Sequence, residues 1–251
     1  MKASTIKSIY FTLGIIALFV IWYLAYLIVN NSGIIPSLSE VFDALGNIAT
    51  SIESYEMIAF TILKIILSIV ISFIASVILA ILSLINFRIE AFIRPLIAFL
   101  RTVPVVSIAM IVLIVFFDKD IRYLGTIVIS SSVIVPIIYE GILTGFKTIN
   151  TNITDATKLL SKVNLKVILS VYIPLALPNI ITSLVQSFGL GLKVLVMSEV
   201  IVNPPNSIGR LIGEYASYGE ISYVFAWTII LIIIVLILDI ILKKIKIKSW
   251  E

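Results

Sequence analysis

Two groups of polar residues in this chain have types and spacings that could do chemistry. The first is the stretch DATKLLSKVNLKVILSVYIPLALP, residues 155–178. Lys158, Lys162 and Lys166 recur every fourth residue there and form a basic edge. Ala156, Leu159, Leu160, Val163 and Val167 form an apolar stripe at helical spacing. Like charges four apart repel slightly, so helix stability does not explain the lysines. They suit a solvated face, lipid headgroups or an acidic partner. Asn152 or Thr154 is placed to cap the helix start, and Asp155 then lies where the helix dipole favours an anion. The second group is Lys64, Arg101, Lys193 and Glu199, which lie in or near long apolar runs. A charge at mid-membrane costs on the order of 3 kcal/mol or more, so such residues face a cavity, a partner or the interface.

What is missing narrows the chemistry. The chain has no cysteine and no histidine. Disulfides, thiolate or imidazole metal sites, and catalysis that needs either side chain are excluded. There is no G-x-x-x-x-G-K-[ST] phosphate loop and no paired-aspartate site. The expectation is a protein that is not an enzyme, with no metal or cofactor of its own. The net charge of +4 is spread along the chain and forms no nucleic-acid-binding arm.

The elements that must position these residues are membrane spans. Of 251 residues 61% are hydrophobic and 13% charged, about half the charge of a typical soluble domain. Apolar runs long enough to cross a bilayer as helices fall at roughly 9–29, 58–86, 95–117, 123–146, 172–201 and 222–242. The expected fold is all-α, a polytopic membrane protein of six transmembrane helices forming one domain over residues 1–251. Lys and Arg gather in alternate connecting segments, around residues 2–7, 88–94, 147–166 and 243–248. The segment from Asn30 to Met57 has none. By the positive-inside rule both termini are cytoplasmic, and the stretch around Asp155 belongs to the largest cytoplasmic loop, about 147–171. Leu38, Val41, Phe42, Leu45, Ile48, Ala49 and Ile52 predict an amphipathic helix on the outer side.

Depth separates the intramembrane charges. Lys64 lies near the outer end of the second span and is expected to snorkel. Arg101 lies about two turns inside the third. Lys193 and Glu199, six apart in the fifth, point to different faces of one helix. The fifth span also carries Gln186, Ser187, Gly189, Gly191 and Ser198. It either lines a pathway, with Lys193 favouring an anionic solute, or packs closely through its small residues. Pro104 and Pro136 lie within spans and are positions for kinks. Pro174 and Pro178 are expected in the first turns of the fifth span, where a missing N–H costs least.

Asp155-Ala156-Thr157, then Ser161, Val171, Ile173 and Pro174, follow a spacing that resembles the EAA signature of binding-protein-dependent ABC importer permeases. Asp155 stands where that family has Glu, Thr157 takes the place of the second Ala, and Ser161 that of the Gly. RTVPVVSIAMIVLIVFF at 101–117, IPSLSEVFDAL near Pro36 and VMSEVIVNPPNSIGRLI at 196–212 resemble segments of the nitrate, sulfonate and taurine type, in the same order. The resemblance implies a type I ABC importer permease with a cytoplasmic coupling helix. Asp155, Ala156, Thr157, Lys158, Leu159, Leu160, Ser161, Lys162 and Pro174 would couple to the ATPase. Arg101, Pro104, Gln186, Lys193 and Glu199 would be pathway residues. The implied partners are a cytoplasmic ABC ATPase dimer that binds ATP and Mg, a second copy of the permease, an extracytoplasmic solute-binding protein and the lipid bilayer. A secondary carrier or channel not driven by ATP is the alternative.

Overall fold

The structure, a computed structural model, describes residues 3–118, 121–153, 157 and 164–248, with side chains for 9–118, 121–153, 157 and 164–241. Every regular element among the described residues is helical. This is what lipid demands of apolar runs of this length, because a helix satisfies its own backbone polar groups. Five helices are long and apolar enough to cross a membrane, or six if one bent pair counts as a span. The chain divides into two compact units, Met1–Ser54 with Ile212–Leu231, and Tyr55–Leu211 with Ile232–Glu251.

In the first unit α1 (Ala3–Val29) carries a span over Ile9–Val29 that buries none of its length within the chain. Trp22 near its end donates its indole N–H to the Pro36 carbonyl at 3.1 Å and packs on Phe225 with ring centres 5.2 Å apart. Next comes α2 (Leu38–Thr50), the amphipathic helix that the apolar spacing predicts. Its start is a capping box: the Ser37 hydroxyl accepts from the Glu40 N–H, and the Ser37 N–H donates to Glu40 Oε2 at 2.8 Å. Its buried face is Val41, Ala44 and Ile48. Phe42 and Ile52, expected in the same stripe, are 63% and 79% exposed. Asn47 Nδ2 donates to the Tyr223 hydroxyl at 2.9 Å, and Tyr223 stacks on Tyr215.

The second unit holds most of α3 (Ile52–Ile85), α4 (Phe87–Thr102), α5 (Val105–Val115), α6 (Arg122–Lys147), most of the helical run α7 (Leu165–Val202), the first turn of α8 (Ile208–Tyr218) and the later part of α9 (Ile221–Lys248). Two seams of small residues hold it together. On α3, Ser68, Ser72, Ser76 and Ala80 recur every fourth residue, followed by Ser83, and all are buried. The Ser68 and Ser130 hydroxyls are 2.7 Å apart, Ser76 donates to the Val135 carbonyl at 3.0 Å, and Ser83 meets the Tyr139 hydroxyl at 3.0 Å. The second seam joins α6 to α7. A Cβ on Gly145 would come 2.8 Å from the Ala176 Cβ. Without a hydrophobic drive between helices in lipid, such close backbones and shared hydroxyls do the packing.

Two expected spans differ from the structure. The third is not one straight helix over 95–117. α4 and α5 meet at 92° across Val103 and Pro104. Proline has no N–H to continue the ladder and drives the preceding residue out of the helical region. Val103 accordingly has φ −66° and ψ 128°. Pro136, by contrast, sits inside an uninterrupted α6. The fifth span begins earlier than residue 172. α7 starts at Leu165, where Asn164, extended at φ −125° and ψ 171°, accepts from the Val167 N–H at 3.0 Å. Its turn from Ile168 to Tyr172 is a π-helix, with the Ile173 N–H reaching the Ile168 carbonyl. This wider turn leads into the α-helix Ile173–Val202, with Pro174 in its first turn, as expected, and Pro178 inside it.

Enlarging the serine seam tests its packing. Ser72→Leu should lower the stability of the protein in lipid nanodiscs by about 1–3 kcal/mol through overpacking, with Ser72→Ala much closer to wild type. Thermal melts read the difference. Equal melting of Ser72→Leu and wild type would show that the two helices do not meet through this seam.

Candidate functional site: a buried ion pair and a polar cleft

Of the residues read as a coupling loop, Asp155, Ala156, Lys158, Leu159, Leu160, Ser161 and Lys162 lie outside the described residues. Thr157 is helical and half-buried. On the near side a helical turn starts at Thr151, and its cap is Asn150, whose side chain accepts from the Asn152 N–H at 2.9 Å. Asn152, expected as a cap, lies inside this turn, and Thr154 lies outside the described residues. On the far side Asn164 caps α7, and Pro174 is solvent- or lipid-exposed nine residues into that run.

The best-defined charged cluster joins α3 to the end of α7. Lys64 Nζ lies 2.5 Å from Glu199 Oε1, with the two side chains 6% and 0% exposed. Thr61 donates its hydroxyl to the same carboxylate at 3.2 Å and accepts from the Ile208 N–H at 3.1 Å. Glu199 Oε2 accepts from the Gly209 N–H at 3.0 Å. Lys64 Nζ also reaches the Asn206 carbonyl at 3.4 Å. Glu199 thus does two things. It neutralises a buried ammonium, and it caps the first turn of α8, whose free N–H groups favour a negative charge. The chain between α7 and α8 folds back to allow this, with Asn203 and Asn206 in the left-handed region at φ 52° and 51°. Gly209 is required by contact, because a Cβ there would lie 2.5 Å from the Val196 carbonyl oxygen.

Lys64 therefore does not snorkel to an interface; it is buried and paired. The sequence reading compared Glu199 with Lys193, on the same helix, and missed the partner on another. The available signal was depth. Lys64 is six residues inside one expected span and Glu199 two inside another, at ends assigned to the same side.

The second feature is a polar cleft of about 530 Å³ in the second unit, between α4, α6 and α7. Its charged lining is Arg101 and Glu140, and its neutral polar lining includes Thr144, Asn179, Thr182 and Gln186. Arg101 Nη1 is 3.8 Å from Glu140 Oε1, and these side chains are 60% and 47% exposed. Arg101 and Gln186 thus meet at one cleft. Pro104 forms the bend beside it and is not in the lining, Lys193 is exposed elsewhere on α7, and Glu199 is locked in the buried pair. Glu140, Asn179 and Thr182 were not singled out from sequence. At the start of α4, Glu90 pairs with Arg94 at 2.9 Å and with Lys147, which ties α4 to the last residue of α6.

Removing one partner of the buried pair strands the other charge. Lys64→Met or Glu199→Gln alone should cost about 3–5 kcal/mol in nanodisc melts, while Lys64→Met/Glu199→Met together should recover much of it. Single variants that melt with wild type would show that the pair is not a structural constraint.

No curated protein matches the chain. Residues 72–246, most of its length, match the family described as binding-protein-dependent transport system inner membrane component. That stretch takes in the cleft residues, Glu199 of the ion pair and the seam from Ser72 on, and leaves out Lys64 and Thr61. With its membrane-spanning helices, the chain belongs to this family of ABC importer permeases and is a multi-pass inner-membrane protein.

Proposed function

We propose that this permease subunit forms half of a translocation pathway for a small solute and is driven by a separate ATPase docked on the loop 147–171. Asp155, Ala156, Thr157, Leu159 and Leu160 would make the docking face, with Lys158 and Lys162 at its rim, and Ser161 would allow the turn. The loop and both termini would face the cytoplasm. A second copy would complete the pathway, and an outer solute-binding protein would deliver a solute of the nitrate, sulfonate or taurine type. ATP and Mg would be held by the ATPase.

The observation that carries the coupling reading is α7. It leaves the loop at Asn164 and continues without a break to Val202, past the cleft residues Asn179, Thr182 and Gln186. A helix 38 residues long spans on the order of 57 Å, enough to carry a displacement through a bilayer. The Glu90 ion pairs on Arg94 and Lys147 support the same reading, because they would pass loop motion to α4 as well.

The test is uptake and ATP hydrolysis measured together on the reconstituted complex. Asp155→Arg and Ala156→Trp should insert normally and lose most uptake while the ATPase still turns over. Normal uptake by both, or uptake by wild type without any ATPase, would overturn the coupling and favour a carrier not driven by ATP.

A further inference from the structure

Two ion pairs of the second unit differ in kind. Lys64 and Glu199 touch at 2.5 Å, are almost wholly buried, and are braced by Thr61, Gly209 and Asn206. Arg101 and Glu140 stand 3.8 Å apart, are about half exposed, and border a cleft of about 530 Å³. A charge-assisted hydrogen bond brings its heavy atoms to about 2.7–2.9 Å, so the second pair is not closed. An exposed pair of this kind contributes little to stability, about 0–1 kcal/mol. Exchanging it for contacts with a solute therefore costs little.

From this we infer that the cleft is a transit subsite for a small zwitterion, whose anionic head meets Arg101 and whose cationic nitrogen meets Glu140. A solute carrying only an anion would gain Arg101 and then sit beside an uncompensated carboxylate. One carrying only a cation meets the mirror problem at the guanidinium. In either case a like charge is brought close, which discriminates against that solute. A zwitterion replaces one loose pair with two closer ones and leaves the net charge of the cleft unchanged. Thr144, Asn179 and Gln186 supply neutral donors and acceptors for the rest of the solute. The volume lies within the range of small-molecule sites. The inference rests on the pathway role proposed above and narrows its solute: nitrate or a simple sulfonate, an anion alone, is disfavoured, and an aminosulfonate of the taurine type fits.

The test uses the whole permease–ATPase complex in lipid nanodiscs and three probes on one carbon skeleton: β-alanine, propionate and propylamine. Saturation-transfer NMR titrations give their relative affinities. Wild type should bind β-alanine at least about tenfold more tightly than either singly charged probe, a difference of about 1.4 kcal/mol. Arg101→Gln should move the preference toward propylamine and Glu140→Gln toward propionate, opposite shifts that a merely structural pair would not produce. Equal binding of the three probes, tighter binding of propionate or propylamine by wild type, or the same order in both variants would overturn the inference. ATP hydrolysis by the same wild-type complex, stimulated by its solute-binding protein, is the separate check. Stimulation without charge preference would sink the zwitterion subsite alone, whereas hydrolysis that never responds to that protein would sink the proposed function.

Discussion

A carboxylate with no exposure to water needs a cation and hydrogen-bond donors, and Glu199 has both. Lys64 supplies the charge, Thr61 a hydroxyl and Gly209 a backbone N–H. The partners come from two places, two from α3 and one from the first turn of α8. The carboxylate can be satisfied only if α3, the end of α7 and the start of α8 stand in one arrangement. Burial of ions is weak evidence for stability as such, since a well-packed apolar pair would often do as well. What the ion pair supplies is geometry. It specifies the turn through Asn203 and Asn206 and leaves Gly209 no room for a side chain. In lipid the alternatives are worse than in water, because a stranded charge has no solvent to turn to.

The same scarcity of water explains the seams. Ser68, Ser72 and Ser76 are too small to drive association by burial, and they need not. Their hydroxyls find acceptors on α6, and their size lets the helices close. Gly145 does the same for α6 against α7. The rigid parts of the second unit thus combine an apolar interior, such as Ile134, Ile138 and Leu195, with seams of small residues and a buried ion pair. The cleft has a different composition, with long charged side chains that are half exposed and loosely matched. Rigid walls beside adaptable charged groups are what a passage requires. The walls fix where the charges stand, and the looseness leaves them able to change partners.

The helices were legible in the sequence because span length and apolarity are set by bilayer thickness, a constraint local to each segment. The amphipathic α2 was legible for a similar reason, since its period is written in consecutive residues. Its details were less so. Ala44 is buried where Phe42 is not, because the buried face depends on what lies against it. The right-angle bend at Pro104 was readable as a kink but not in size, since proline breaks the ladder without dictating where the next helix goes. Pro174 marked the start of the α-helix Ile173–Val202, but not the short helical lead-in and π turn that run into it from Leu165. The Lys64–Glu199 pair joins residues 135 positions apart, and the Arg101–Glu140 cleft joins two helices and a third. No local period reports such meetings. Only depth matching in the first case, and the four-residue recurrence of serine in the seam, left a trace that sequence reasoning could have used.

One helix links all of this. α7 begins beside the loop, passes the cleft with Asn179, Thr182 and Gln186, and ends three residues beyond Glu199. It is continuous, and its far end is held by the buried pair. The compliant point is the π turn at Ile168–Tyr172, where the hydrogen-bond ladder is already widened and Pro174 follows directly. Bending there changes the angle at which the loop meets the span and leaves Glu199 paired. As proposed, the run below that turn would answer to what docks on the loop, and the run above it to Lys64 and the seams. In the proposed role this division separates the moving handle from the fixed frame, with the cleft between them.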